Sequence, residues 1–159
     1  YRTTENPHLP FRVLSAINEA GSTRVEIKVT VKANFAPNLF GQHVIIKIPT
    51  PKNTATCRLR VTAGKAFYKP ELEAVIWKIK RFPGGAEFGL SGEMKLAQSV
   101  SLEKKGWSNR PPIAMQFQVP MFTSSGFDVR FLKVYEKTPY QTVKWVRYMT
   151  KAGSYEFRI

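Results

Sequence analysis

Apolar and polar residues alternate with a period of two along most of this chain. Residues 25–35 show the pattern most clearly, because every odd position is apolar and every even position is polar. Successive side chains of a strand point to opposite faces, so the pattern predicts a long strand with one buried face and one wet face. Gly21-Ser22 precedes it and is interpreted as a hairpin turn after a strand over residues 11–17.

The same alternation predicts further strands along the rest of the chain, at residues 44–48, 58–61, 75–81, 88–96, 113–119, 143–149 and 155–159. Pro83-Gly84-Gly85 is interpreted as a turn, and Ala152-Gly153 as the turn between the last two strands. Residues 127–135 alternate with a change of phase, which indicates a β-bulge or a switch between sheets. Many short strands separated by Pro and Gly, without an amphipathic helix, predict an all-β fold, an antiparallel β-sandwich.

Composition limits the kinds of function that the chain can have. A hydrophobic content of 43% over 159 residues is enough for a packed core. The chain has one aspartate, Asp128, one cysteine, Cys57, and two histidines, His8 and His43. A catalytic triad or a metal site needs several such groups close together, so we predict no catalytic residue, no metal site, no cofactor and no enzymatic activity.

The beginning of the chain and its apolar runs bear on where the protein resides. The sequence starts at Tyr1 without an initiator methionine, so we expect it to be a piece of something longer. It has no apolar run of about 18 residues and no signal-peptide pattern. We therefore expect a protein that is soluble or lies on a membrane without crossing it.

Positive charge is the strongest feature of the composition. The chain carries 25 Lys and Arg against 11 Asp and Glu, a net charge of +14. Between Arg58 and Arg81 lie seven basic residues and only two acidic ones, Glu71 and Glu73. If the strands that carry Arg58 and Lys78 are neighbours, their wet faces form one positive surface. Such a surface attracts nucleic acid, anionic lipid or an acidic partner, although ordinary solvated strand faces remain an alternative.

The run Lys144-Trp145-Val146-Arg147-Tyr148-Met149 contains a candidate binding strand. Trp145 and Arg147 would lie on one face, where an indole and a guanidinium can stack against another planar group. A strand near the chain terminus can also be an edge strand, which can accept a peptide as an additional strand. The alternative is a core tryptophan beside a solvated arginine.

Several blocks of the sequence are distinctive. Four of them are Asn-Arg-Pro-Pro-Ile (109–113), Gln-Val-Pro-Met-Phe-Thr-Ser-Ser-Gly (118–126), Val-Arg-Phe-Leu-Lys-Val (129–134) and Lys-Trp-Val-Arg-Tyr (144–148). These blocks resemble a known family, the C-terminal signal-binding (mu homology) domain of the medium (mu) chains of clathrin adaptor complexes. Tyr-Arg-Thr-Thr (1–4) and Ile-Trp-Lys-Ile-Lys-Arg (76–81) look most like the chains of the plasma-membrane complex.

The resemblance implies an elongated fold with two sandwich subdomains that share strands. Residues of about 10–120 would form an inserted basic subdomain, and residues of about 121–159 would supply strands of the signal-binding subdomain. Family members begin this domain earlier in the chain, so the N-terminal part of the domain and part of the site are expected to be absent here.

The resemblance also implies two binding sites. A Tyr-x-x-φ sorting signal, in which φ is a bulky apolar residue, would add as a strand beside residues 144–147, which include Lys144. Trp145 and Arg147 would flank the tyrosine of the signal, and the φ pocket would be lined by Val129, Leu132 and Val146. Phosphoinositide lipid would bind Lys65 and Lys69, joined by Lys78, Lys80 and Arg81.

Two classes of function follow from these observations. The first is a non-enzymatic adaptor module on the cytosolic face of the plasma membrane, in clathrin-coated pits. Its partners would be the cytoplasmic tails of membrane cargo, the phosphoinositide membrane surface and the other subunits of a heterotetrameric adaptor complex, and it would bind no nucleic acid. The alternative is a basic β-domain that binds single-stranded nucleic acid, because net positive charge and exposed aromatic residues also suit that ligand.

Overall fold

Nine strands make up almost all of the regular structure in the part of the chain that the computed structural model describes, residues 8–21, 23–97, 110–126, 128–133, 135 and 146–159. They are β1 (Phe11–Glu19), β2 (Arg24–Ala33), β3 (Phe40–Pro49), β4 (Thr54–Val61), β5 (Lys65–Lys69), β6 (Ala74–Pro83), β7 (Glu87–Leu96), β8 (Ile113–Pro120) and β9 (Met149–Phe157). One turn of 3-10 helix, Pro70–Leu72, connects β5 to β6.

The strands form two antiparallel sheets. The four-stranded sheet has the order β1-β2-β7-β4, and the five-stranded sheet has the order β5-β6-β3-β8-β9. Their inward side chains form one hydrophobic cluster, to which β2 contributes Val25, Ile27, Val29 and Val31. The prediction of an all-β antiparallel β-sandwich is confirmed, since the alternating residues of β2 are buried on one side only.

The first hairpin and the turn after β6 follow the predicted pattern. β1 pairs with β2 in continuous register from Phe11 opposite Ala33 to Glu19 opposite Val25. The turn at Pro83-Gly84-Gly85 joins the two sheets, because β6 and β7 lie in different sheets. A Cβ atom at Gly84 would collide with the backbone of Ala36, so this connection requires glycine.

Aromatic residues hold the two sheets against each other. The ring of Phe11, in β1, makes edge contacts with Phe82 at 5.2 Å and Phe117 at 4.8 Å between ring centroids, and both of those residues belong to the five-stranded sheet. Trp77 is fully buried in β6, and its indole N–H donates a hydrogen bond of 2.8 Å to the carbonyl oxygen of Ala63. The buried polar group of Trp77 is therefore paired, and the tryptophan ties β6 to the loop between β4 and β5.

The expected strands near the C-terminus agree with the structure only in part. Met149–Phe157 is a single strand, so the expected turn at Ala152-Gly153 is wrong. The expected strand over residues 155–159 is confirmed for Tyr155–Phe157. The expected strand over residues 143–149 lies partly outside the described residues, and residues 146–148 have no regular secondary structure. The register against β8 shifts between Met115 and Phe117, which marks a β-bulge on β9 in place of the turn. Gly153 stays in the sheet because β8 pairs with β9 on both sides of it. In the sequence by itself, this glycine looks like a turn residue.

The expected strand over residues 127–135 is also absent from the described residues of that range, which have no regular secondary structure. An alternating pattern forms a strand only where another strand pairs with it, and none of the nine strands pairs with this segment. The boundary at about residue 120 between two subdomains stays a prediction. β9 pairs with β8 across that boundary and completes the five-stranded sheet.

Candidate functional site

A group of lysines covers the outer surface of the five-stranded sheet. Lys65 in β5 is the direct cross-strand partner of Lys78 in β6. On the same outer faces, Lys69 lies four positions from Lys65 and Lys80 lies two positions from Lys78, in opposite directions along the sheet. Lys47 of β3 extends the group, because it is exposed between the buried residues Ile46 and Ile48. We call this surface, formed by Lys47, Lys65, Lys69, Lys78 and Lys80, the lysine face.

Acidic residues are missing from the strands around the lysine face. β3, β5, β6 and β8 contain no Asp or Glu, and Glu71 and Glu73 lie in the turn between β5 and β6. Glu156 of β9 is in the cross-strand row of Lys47 but two strands away from it. Like charges placed directly opposite each other, as Lys65 and Lys78 are, destabilise a sheet. A bound anion would relieve that repulsion, so the arrangement favours anion binding.

Two residues beside the lysines modify this surface. Arg81, near the end of β6, places its guanidinium carbon 4.2 Å from the centroid of the Phe40 ring, and this cation–π contact fixes the cation beside β3. Phe67 is 47% exposed and lies between Lys65 and Lys69 on the outer side of β5. The surface therefore combines positive charge with a projecting apolar ring.

Lys47 was missed by the sequence reasoning. It precedes the basic run in the sequence, and only the pairing of β3 with β6 brings it beside the other lysines. The sequence contains one signal that could have identified Lys47: it is the polar residue between Ile46 and Ile48 in an alternating strand, so its side chain points outward.

Arg58 and Arg60 do not join the lysine face. They lie on β4 in the four-stranded sheet, whereas Lys78 and Lys80 lie on β6 in the five-stranded sheet. The expectation that their wet faces form one surface is therefore wrong. The outer faces of a sandwich point in opposite directions, and alternation within a strand does not reveal the sheet to which the strand belongs.

The predicted peptide site lies partly outside the described residues, since these do not include Lys144 and Trp145. Val146 is 39% exposed and Arg147 is exposed, and both precede the first residue of β9. Val129 and Leu132 are 38% and 48% exposed, in the irregular segment after the loop that follows β8. These four side chains are thus accessible to a ligand.

Tyr148 connects the two segments that carry these residues. Its hydroxyl donates a hydrogen bond of 2.6 Å to the Oδ1 atom of Asp128 and accepts one of 2.9 Å from the backbone N–H of Val129. The carbonyl oxygen of Tyr148 accepts a further bond of 2.7 Å from Met121. Val129 is therefore held next to the residue that follows Arg147. The hydrogen bond to Asp128 raises the pKa of Tyr148, because the carboxylate accepts from the protonated phenol.

A second set of hydrogen bonds fixes the loop before this segment. The hydroxyl of Thr150 in β9 donates a bond of 2.6 Å to the carbonyl oxygen of Phe122 and accepts one of 3.3 Å from the N–H of Ser124. Ser124 in turn donates from its hydroxyl to the carbonyl oxygen of His8 at 2.9 Å. The start of β9 is thereby attached to both neighbouring segments.

Residues suited to catalysis or metal binding are not grouped in the described part of the chain. No set of three or more His, Cys, Asp or Glu side chains lies close enough there to hold a metal ion. Burial raises the pKa of Cys57 to about 11, so its thiol is not an activated nucleophile. Among the same described residues, no helix is long and apolar enough to cross a membrane.

A solved structure with a similar fold is the mu homology domain of zebrafish (Danio rerio) Fcho1 with a bound Eps15 peptide. The match has a TM-score of 0.51 at 11% sequence identity and covers 74% of this chain and 40% of the other. At that identity the likeness concerns the fold alone, which is that of a mu homology domain.

The family follows from the sequence comparisons. The model of the adaptor complexes medium subunit family matches residues 1–159, and the chain belongs to this family. It is 60% identical over its whole length to the AP-2 complex subunit mu of Dictyostelium discoideum. It is 45% identical over 99% of its length to that of Caenorhabditis elegans, and 40% identical over 91% of its length to the bovine AP-1 complex subunit mu-2. The chain spans 36% of the length of both AP-2 relatives and 33% of the AP-1 relative.

Proposed function

We propose that the chain is the cargo- and membrane-binding part of a clathrin adaptor medium subunit, which acts in endocytosis at the cytosolic face of the plasma membrane and is not an enzyme. The observation that carries the membrane half of this proposal is the lysine face, five lysines on strands β3, β5 and β6 that contain no acidic residue. The other subunits of an adaptor complex would be its permanent partners, as the family and the AP-2 relatives suggest.

Phosphoinositide binding suits the chemistry of the lysine face. A headgroup phosphate carries several acceptor oxygens, and pairs such as Lys65 and Lys78 can each donate charge-assisted hydrogen bonds to it. The exposed ring of Phe67 can enter the boundary between headgroups and acyl chains, where aromatic side chains are favourable. Arg81, positioned over Phe40, adds a further cation at the edge of the contact.

Binding of a Tyr-x-x-φ signal is the cargo half of the proposal. Arg147 would stack on the tyrosine ring of the signal together with Trp145, and Val129, Leu132 and Val146 would receive the φ side chain. The hydrogen bonds of Tyr148 support a site made of these two parts, since they connect the segment of Val129 to the segment of Arg147. Attraction of the lysine face to the membrane would raise the effective concentration of cargo tails near the peptide site.

Vesicle co-sedimentation of the full-length polypeptide tests the membrane half. The double variant Lys65→Ala/Lys78→Ala should bind phosphoinositide vesicles about 30-fold more weakly, because each lysine near an anionic membrane contributes roughly 1 kcal/mol. The matched control is Lys32→Ala/Lys95→Ala, which removes the same charge from exposed positions on the four-stranded sheet.

Equal loss of binding in the two double variants would contradict a specific lysine face, since net charge alone would then explain the attraction. A single-stranded oligonucleotide should bind more weakly than the vesicles at equal salt. The reverse order would favour the alternative of a nucleic-acid-binding domain.

A further inference from the structure

The outer face of the four-stranded sheet carries a concave site that the proposed function does not use. A trough of about 540 Å³ crosses all four strands of this sheet, and a second concavity of about 310 Å³ adjoins it at Arg58 and Glu93. Small residues such as Ser91 and Gly92, apolar side chains such as Leu59, and longer charged side chains line the trough. The trough lies on the opposite side of the sandwich from the lysine face.

Two cations flank a hydroxyl in the middle of the trough. In the register of the sheet, Ser91 of β7 lies between Lys28 of β2 and Arg60 of β4. Neighbouring strands are about 4.8 Å apart, so the backbones of the two cationic residues are about 10 Å apart. Their long side chains can therefore approach one anion placed over the Ser91 hydroxyl from both sides.

The acidic residues nearby do not neutralise these cations. In the next row, Arg58 lies opposite Glu93, and Glu93 lies opposite Glu26. Both carboxylates are within ion-pair distance of Arg24, with N–O distances of 3.4 Å to Glu26 and 3.7 Å to Glu93. Within the described residues, Lys28, Arg58 and Arg60 therefore take part in no ion pair.

We propose that the trough binds a phosphorylated serine or threonine side chain presented by an extended peptide of a protein partner. A phosphate group offers a charge near −2 and three acceptor oxygens, which suit the guanidinium of Arg60, the ammonium of Lys28 and the hydroxyl of Ser91. A concavity of about 540 Å³ has room for the flanking peptide residues as well.

A membrane surface suits the trough less well than a peptide does. Glu26, Glu87 and Glu93 on the outer face of the same sheet would repel a continuous anionic surface, whereas a single phosphate over Ser91 would contact only the row that holds the cations. The lysine face has no such acids on its strands and faces the other way. The charge pattern thus favours one localised anion at the trough.

Fluorescence anisotropy with the full-length polypeptide tests this proposal. The probe is a labelled ten-residue Gly/Leu peptide with one central phosphoserine, compared at 150 mM salt with its unphosphorylated form. The variant Lys28→Ala/Arg60→Ala should lose at least about tenfold in affinity for the phosphopeptide, because it removes two charge-assisted hydrogen bonds. Arg60→Gln alone, which keeps a long polar side chain, should lose several-fold and serves as a milder second variant.

The matched control is Arg12→Ala/Lys32→Ala, which removes one arginine and one lysine from an exposed cross-strand pair outside the trough and should leave phosphopeptide affinity within about twofold. Equal losses in the two double variants, or equal binding of the unphosphorylated peptide, would overturn the proposal. So would a wild-type protein that binds no phosphopeptide. If Lys28→Ala/Arg60→Ala binds anionic vesicles more weakly but binds the phosphopeptide as the wild type does, the trough is a membrane-binding site and the proposal is wrong.

Discussion

Arg147 is the described residue on which the peptide half of the proposed function depends most. It is exposed immediately before β9, where its guanidinium can stack on the tyrosine ring of a sorting signal. We expect Arg147→Ala in the full-length polypeptide to weaken binding of a Tyr-x-x-φ peptide by roughly 2 kcal/mol or more, as loss of an anchor residue commonly does. Isothermal titration calorimetry measures the change.

Arg158→Ala is the matched control for Arg147, since it removes the same charge from an exposed position beyond β9. Its affinity should stay close to that of the wild type. Equal weakening in both variants, or equal binding of a peptide whose tyrosine is replaced by alanine, would show that Arg147 does not recognise the tyrosine.

Tyr148 acts on the peptide site through the position of its neighbours. Its hydroxyl connects Asp128 and Val129 to the start of β9. Tyr148→Phe removes both bonds, so we expect about fivefold weaker peptide binding. Hydrogen exchange should also become faster at the amides of residues 129–133.

Tyr68→Phe is the control for that measurement, because it removes a long hydrogen bond of 3.4 Å from the hydroxyl to the carbonyl oxygen of Thr54. Tyr68 lies in β5, at the edge of the five-stranded sheet opposite β9. Unchanged exchange at residues 129–133 in Tyr148→Phe would contradict a connecting function for the hydroxyl.

At the scale of elements, β6 is the strand that holds the lysine face in place. Its inner side carries the fully buried Trp77, and its outer side carries Lys78 and Lys80. Trp77→Ala should destabilise the protein by about 4 kcal/mol, because it leaves a large cavity and an unpaired carbonyl at Ala63. Urea denaturation gives the free energy of unfolding.

Phe67→Ala provides the comparison on the neighbouring strand β5, where the ring is 47% exposed. Its cost should stay below about 1 kcal/mol, since little buried surface is lost. A small effect at Trp77, or similar effects at the two sites, would mean that β6 does not anchor the sheet.

The elements that alternation could predict are those with one buried side and one polar side. β2 is the clear case, with every odd position from Val25 to Ala33 buried. β5 was not predicted, because its outer side carries Phe67 and its inner side carries Tyr68, so no polar and apolar faces can be distinguished. The sequence pattern predicted two strands where the structure has only β9, because a glycine in a bulge and a glycine in a turn look the same in the sequence.

The candidate sites show the same limit. Lys78 and Lys80 of β6 could be predicted to share a face, since their spacing of two is visible in the sequence. For Lys65 and Lys69, only the family resemblance implied a common site with them. The exclusion of Arg58 and the inclusion of Lys47 depend on the order of strands in the two sheets, which spacing does not encode. The hydrogen bond between Tyr148 and Asp128 likewise depends on tertiary contacts.

At the scale of the whole molecule, the basic residues of the two sheets form two surfaces of different character. The lysine face has no acidic residue on β3, β5, β6 or β8, whereas the face with the trough mixes cations with Glu26, Glu87 and Glu93. A sandwich directs these two faces away from each other. One face can therefore contact a membrane while the other remains open to a partner.

Lysine acetylation footprinting of the unmodified full-length polypeptide tests the central claim, that the lysine face contacts the membrane, most directly. The account predicts that phosphoinositide vesicles protect Lys47, Lys65, Lys69, Lys78 and Lys80, while Lys28, Lys32 and Lys95 on the four-stranded sheet react at the same rate with and without vesicles. Protection of the second group, or of both groups to the same extent, would contradict the account.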